Sequence, residues 1–248
     1  MKVLKSTALL IVLMCFTVYF SQAQQRYQIH VDNVRPSMVG EYEKVSKQFI
    51  DASKQYNPKT SWSLATSSDL QYSWISPIEN FAELDKQPFA DMAKAMGDDW
   101  KTMFENFDKC YDSHRDYILT LSGNLTYMPE GSEATQEGLN HRHWYFLYYT
   151  PENAGKLFEA MKGVKDLFVK QNSKVYYRVY RSGFGSPENY YLVAVSSKDE
   201  ADAAMSGKAN DAVLGDEGKA VFGNMMQYIS RFEELTGDMR PDLAYSSK

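Results

Sequence analysis

The period of the apolar positions changes repeatedly along the chain, and each change marks an element. Apolar and polar residues alternate over residues 27–32 as in a short strand. Pro36 and Ser37 then open a segment whose apolar positions, Met38, Tyr42, Val45 and Phe49, follow helical spacing. Two strand-like runs follow, 61–66 and 70–75, joined by Ser67-Ser68-Asp69. A helical region over roughly 79–117, broken near Gly97, and a closing strand over 118–127 complete this half. The same order then returns. Residues 144–149 read as a strand, and Thr150-Pro151-Glu152 opens a helix with the stripe Ala154, Leu157, Phe158, Met161, Val164 and Phe168. Strands over 174–181 and 190–195 flank a loop containing Gly183, Gly185 and Pro187. A helical region over 198–228 and a charge-rich closing strand over 229–236 end the second half.

The repetition extends to residue identity. Gly97-Asp98-Asp99-Trp100-Lys101-Thr102-Met103-Phe104-Glu105-Asn106 matches Gly215-Asp216-Glu217-Gly218-Lys219-Ala220-Val221-Phe222-Gly223-Asn224 at Gly, Asp, Lys, Phe and Asn, 118 positions apart. The order β-α-β-β-α-β is the split βαβ of a ferredoxin-like unit, a four-stranded antiparallel sheet with helices on one face. Such a sheet should alternate apolar and polar residues. Here Trp144, Phe146 and Tyr148 lie on one face and Tyr145, Leu147 and Tyr149 on the other, so both faces are apolar. Helices cover only one of them, and packing the two sheets together would bury the other. The expected class is therefore α+β. Two tandem ferredoxin-like units, 24–128 and 142–248, are packed sheet to sheet as a pseudo-dimeric α/β barrel and joined by a polar linker over 129–141.

On this order and pattern, spanning most of residues 27–245, the chain resembles the dimeric α/β-barrel superfamily, with its antibiotic-biosynthesis-monooxygenase-like and NIPSNAP-like families. The resemblance implies a cavity inside the barrel. Some members hold haem and others oxidise aromatic substrates without a cofactor beside Asn, Trp and His side chains. Asn33, Trp62, Trp74 and His30 are the residues of those types here.

Residues 1–23 change the picture of where the protein works. Lys2 and Lys5 precede the apolar run from Ala8 to Phe16, and Ser21-Gln22-Ala23 offers a small-x-small cleavage pattern. The run is shorter than the roughly 20 residues of a spanning helix. A secretory signal peptide, no membrane span after its removal and a periplasmic or secreted destination are expected. Cys110 would then be the only thiol left, so stability must come from a packed core and not from a disulfide. The 248 residues, 44% hydrophobic and 14% aromatic with a formal charge of −5, exclude a disordered tail and give no basic surface for nucleic acid.

Phosphate-loop, dinucleotide, HExxH, CxxC and GxSxG patterns are absent from the sequence. Candidate chemistry rests on two clusters. Tyr176, Arg178 and Tyr180 share one strand face, with Tyr190 on the next strand and His143 and Tyr145 beside them. Tyrosines around an arginine make an amphipathic pocket for a flat or anionic small molecule. His141 and His143, two apart on one strand, could share a metal or serve a haem iron, with His30 as a third ligand by pseudo-symmetry. His114 falls in the helical region and is expected to be structural. Small residues at Ser61, Ser63 and Ala65 predict an asymmetric cavity lined mainly by the second half. The expected function is a monomeric exported protein that holds a small aromatic or amphipathic ligand. The rivals are a haem-handling or cofactor-free monooxygenase-like enzyme and an envelope interaction module without a small ligand.

Overall fold

The computed structural model describes residues 25–131 and 136–248; the predicted signal peptide and residues 132–135 of the predicted linker lie outside them. In chain order the elements are β1 (Arg26–Val34), α1 (Val39–Tyr56), β2 (Ser61–Ser67), β3 (Gln71–Ile78), α2 (Ala90–Met96), α3 (Asp98–Asp108), β4 (Tyr111–Leu121), β5 (His141–Tyr148), α4 (Ala154–Lys170), β6 (Tyr177–Ser182), β7 (Tyr190–Ser197), α5 (Glu200–Met226), β8 (Arg231–Met239) and β9 (Tyr245–Ser246). Single 3-10 turns led by Pro36 and Pro151 start α1 and α4, where a proline costs no hydrogen bond. None of the described helices is long and apolar enough to cross a membrane.

Eight strands close into one antiparallel barrel in the order β3-β1-β4-β6-β7-β5-β8-β2, with β2 returning to β3. The two halves therefore meet edge to edge. One seam pairs Leu119, Thr120 and Leu121 of β4 with Ser182, Arg181 and Tyr180 of β6. The other pairs Ala65, Thr66 and Ser67 of β2 with Met239, Asp238 and Gly237 of β8. Both seams continue past the ladders. The Ser122 amide donates to Val179 and Ile118 to Phe184, while Ser68 donates to Thr236 and Arg240 to Leu64, all at 2.7–2.8 Å. Gly237 permits the second seam, since a Cβ there would collide with the Thr66 carbonyl oxygen. The short β9 pairs with Ser61 and Trp62 of β2.

Strand alternation then divides the side chains. Ile29, Val31, Leu119, Tyr190 and Leu192 form an apolar centre inside the barrel, with Trp144, Phe146 and Tyr148 against it. The outer faces carry the helices. In the first half α1 buries Tyr42, Val45, Phe49 and Ile50 against Trp62, Leu64 and Tyr72. In the second α4 buries Leu157, Met161, Val164 and Phe168 against Leu147, Val179 and Tyr191. Phe49 stacks on Trp62 at 5.2 Å between ring centroids. Cys110 is fully buried and forms no disulfide among the described residues.

Three sequence expectations need correction. Residues 111–117, His114 among them, are strand rather than helix: β4 begins at Tyr111 and pairs with β1 along its length. Its charged first half misled the reading because exposed residues there occupy both faces. The first closing strand ends at Leu121 instead of continuing to Tyr127, which keeps only an isolated bridge to Tyr177. The second closing strand runs over Arg231–Met239; poor alternation did not prevent it from forming, because β5 pairs with it over eight residues.

Gly97 and Gly215, matched by the sequence repeat, share one unusual conformation (φ 58°, ψ −124° and φ 57°, ψ −144°), and each breaks a helical segment at the same place in its half. A side chain is strained there although the space is open. Gly97→Ala and Gly215→Ala should each lower unfolding free energy by about 1–3 kcal/mol in denaturant titrations. Gly163→Ala, inside α4 with open space around its Cβ, should instead stabilise by about 0.5–1 kcal/mol. Equal effects at all three positions would contradict the strain at the breaks.

Candidate functional site

Ile29, Ile75, Leu119, Trp144 and Leu192 lie across the middle of the barrel and border a cavity at each end. The larger cavity, about 790 Å³, is bordered at one side by Gln136, Glu137 and Gly138. Its polar wall comes from two inward-facing arginines, Arg142 at the start of β5 and Arg178 on β6. Tyr27 and Tyr180 supply aromatic surface, their rings 5.7 Å apart edge to face, and Ser63, Ala194 and Ser196 leave the space open. Arg142 donates to the Leu139 and His141 carbonyls, and Arg178 donates to Gln136 Oε1 at 3.2 Å. Burial, and then the charge of Arg178, push Arg142 down to about 10, so it is still a cation at neutral pH but an imperfectly compensated one. Glu137, exposed at the mouth, is the one carboxylate among the described lining residues.

The opposite cavity, about 450 Å³, has mixed charge. Arg115 donates to Gln71 Oε1 at 2.7 Å, and the Tyr148 hydroxyl donates to Glu233 at 3.0 Å. The Arg231 guanidinium lies 3.8 Å from the Tyr148 ring centroid and also pairs with Glu233. Burial, reinforced by Glu233, raises the Tyr148 phenol to about 12. This cavity's lining includes three carboxylates, Asp69, Glu233 and Glu234, against one arginine, whereas the first cavity has two arginines against Glu137, which makes the first the better site for an anion.

Two polar clusters sit on the outer faces. In the first half, Asp32 is buried and accepts the Tyr42 hydroxyl at 2.6 Å, while Trp74 donates to that hydroxyl at 2.8 Å. His30 lies between carboxylates, Nε2 3.1 Å from Asp32 and Nδ1 3.0 Å from Asp116. In the second half, His141 Nε2 and His143 Nε2 converge on one oxygen of Glu200 at 3.0 and 3.2 Å. Behind them His141 Nδ1 lies 3.1 Å from Asp238 and His143 Nδ1 2.9 Å from Glu234.

Of the residues expected to line one pocket, the structure brings Arg178 and Tyr180 to the larger cavity. Tyr190 points inward but is buried, packed 5.4 Å from both Phe146 and Tyr148. Tyr176 precedes β6 and packs among the helix-side residues, 5.7 Å from Tyr127. His143 and Tyr145 also face outward, opposite Arg142 and Trp144 on the same strand. His30 is not the third member of the His141–His143 pair; it belongs to the other half's cluster, and Glu200 takes that place. The expected dominance of the second half holds for the larger cavity, whereas the smaller is lined mostly by the first. Arg142 escaped the sequence reading. Its position between two outward histidines on an alternating strand was the signal that it points inward. Among the described residues no imidazole or thiol lines either cavity, so a haem inside the barrel would have to draw its axial ligand from a tyrosine or from Met239.

Neither a family model nor a curated relative matches this sequence. Solved structures do match in shape. A putative monooxygenase from Lactobacillus acidophilus NCFM aligns at 10% identity and TM-score 0.55 over 90% of this chain and 96% of its own. An anthrone oxidase-like protein aligns at 11% and 0.59 over 89% and 92%. A mutant chlorite dismutase from Candidatus Nitrospira defluvii aligns at 11% and 0.52 over 88% and 92%. Identities this low establish the shared barrel fold and leave activity open.

The His30 cluster makes a direct electrostatic prediction. Burial opposes its charge, but hydrogen bonds to Asp116 and Asp32 and their charges outweigh it and hold the imidazolium up to about 10. A value raised above the unfolded one of about 6.5 means stabilisation that is complete below about pH 6.5 and is lost as pH rises through about 10. The stability gap between the parent and His30→Ala should therefore narrow from neutral pH toward pH ~10, with the His30 ring titrating near the upper end by NMR. A ring that titrates near its unfolded value, or a constant gap, would contradict this pairing.

Proposed function

We propose that this is an exported binding protein for a small amphipathic anion, an aryl or alkyl carboxylate, taken up in the larger barrel cavity. The observation that carries this reading is the convergence of Arg142 and Arg178 on a cavity of about 790 Å³ whose described carboxylate, Glu137, lies at the mouth. That volume suits a drug-sized ligand. Guanidinium groups bind carboxylates through paired, charge-assisted hydrogen bonds. An anion there would also offset the cost of burying Arg142, so ligand charge and site charge favour the same complex. Tyr27, Tyr180 and Trp144 give the apolar part of the ligand aromatic surface.

Two further parts of the reading concern the whole chain. The leader over residues 1–23 supports export to the periplasm or beyond. The strand orders β4-β1-β3-β2 and β8-β5-β7-β6 are the same in the two halves. With the paired glycine breaks, they support a duplicated ferredoxin-like unit within a monomer.

An oxygenase reading draws on the names of the similar structures. In this chain Trp62 and Trp74 belong to the helix-side core and His30 to the outer face, so three of the four expected side chains do not meet in the barrel. Asn33, the fourth, donates to Ser113 Oγ at 2.8 Å. An oxidation in the cavity would have to rely on its tyrosines and arginines.

The test compares 2-naphthoate with neutral 2-naphthalenemethanol by calorimetry. The carboxylate should bind at least about tenfold tighter, equivalent to about 1.4 kcal/mol. Arg178→Ala and Arg142→Ala should each erode that preference, with Arg178→Lys keeping part of it. Equal affinity for the two probes, or a preference that survives both substitutions, would overturn the assignment. Oxygen uptake on adding the carboxylate would favour the oxygenase reading.

A further inference from the structure

We infer that His141, His143 and Glu200 form a binding site for a divalent first-row transition metal, of which Zn(II) is the representative. The site lies on the outer face of the second half, on the opposite side of β5 from the cavity arginines. His141 and His143 are neighbours on one face of β5, and Glu200 is the first residue of α5. Their two Nε2 atoms and one Oε2 lie within 4.8 Å of one another. The N···O separations of 3.0 and 3.2 Å approach the roughly 3.3 Å between two ligands of a tetrahedral ion with bonds of about 2.0–2.1 Å. Two imidazoles and one carboxylate suit Zn(II), Fe(II) or Co(II) better than Ca(II) or Mg(II), which prefer oxygen alone.

Hydrogen-bond capacity supports the same conclusion. A neutral imidazole has one N–H, yet each ring faces a carboxylate oxygen at both nitrogens. If Nδ1–H donates to Asp238 in one ring and Glu234 in the other, both Nε2 lone pairs point at Glu200 without a donor between them. A metal cation at that focus resolves the conflict. Rings protonated at both nitrogens would do so too, as would, for His143, a hydrogen bond accepted at Nδ1 from the Tyr145 hydroxyl 3.5 Å away; metal titration separates these outcomes. With the metal bound, the Nδ1 contacts become the outer carboxylates that orient metal-binding histidines. The two imidazole side chains are 13% exposed while Glu200 is 67% exposed, so the nitrogens are held by packing and solvent retains a path to the focus. The N-terminus of α5 opposes a cation with about half a positive charge, but three carboxylates, Glu200, Glu234 and Asp238, outweigh it. Asp199 also occupies part of that terminus by accepting the Asp202 amide at 2.8 Å.

The first-half cluster, His30, Asp32 and His114, is the internal competitor. Asp32 is already committed to the Tyr42 hydroxyl and His114 is exposed, so that cluster is the weaker candidate. The test titrates untagged, chelator-stripped protein with Co(II) and then displaces it with Zn(II). The expected result is one saturable equivalent with the intense visible bands of a low-symmetry, four- or five-coordinate cobalt site. His143→Ala and Glu200→Gln should each weaken binding at least 100-fold. Glu234→Gln should cost roughly 10- to 100-fold, as removing an outer partner does, and His30→Ala should bind as the parent does. Glu200 is exposed, so its substitution keeps the test valid if a histidine variant fails to fold. Absence of saturable binding, binding that survives Glu200→Gln, or binding lost in His30→Ala would overturn the assignment.

Discussion

Every sheet of four strands has two edges, each with a row of backbone donors and acceptors that must find partners. In this protein each half answers the other's need. β4 of the first half takes β6 of the second, and β2 of the first takes β8 of the second. Closure is the constraint from which the rest follows, because a closed antiparallel barrel leaves no open edge in the ring. It also fixes an interior of limited width, filled at its centre by Ile29, Leu119, Trp144 and Leu192 and open toward both ends. The seam ladders are short, three residue pairs each, and backbone hydrogen bonds beyond them extend each seam.

Closure also assigns each strand residue to one of two chemical worlds. On β5, Arg142, Trp144 and Phe146 face the interior, while His141, His143 and Tyr145 face out toward β8 and α5. A register slip of one residue would exchange the two sets, placing histidines in the cavity and an arginine beside carboxylates. The pairing of β5 with both β7 and β8 over eight residues each guards against that slip. The cavity's positive charge and the carboxylate-backed histidines are thus two products of one alternation.

Much of the fold was legible in the sequence because its signals were local and repeated. The stripes at Tyr42, Val45 and Phe49 and at Leu157, Met161, Val164 and Phe168 became the buried faces of α1 and α4. The matched glycines became matched breaks. Two apolar faces on 144–149 correctly implied a second covered side. What the pattern did not reveal was how that side is covered, since edge-to-edge closure depends on backbone groups that every residue shares. The site was less legible for a similar reason. Arg178 and Tyr180 followed from strand alternation, but Tyr176 lies one residue before the strand and escapes its period. His143 and Tyr145 were grouped by proximity in sequence with residues on the opposite face. Glu200, 57 residues beyond His143, reaches the histidines only through the packing of α5.

Native-state hydrogen exchange at the seam amides tests barrel closure most directly. Ser122 and Arg240 donate across the two seams, to Val179 and Leu64 respectively. In a closed barrel both amides should exchange as slowly as those of the central strands, opening only with global unfolding. Rapid exchange at both, with β1 and β5 still protected, would mean two separate open sheets and no enclosed cavity.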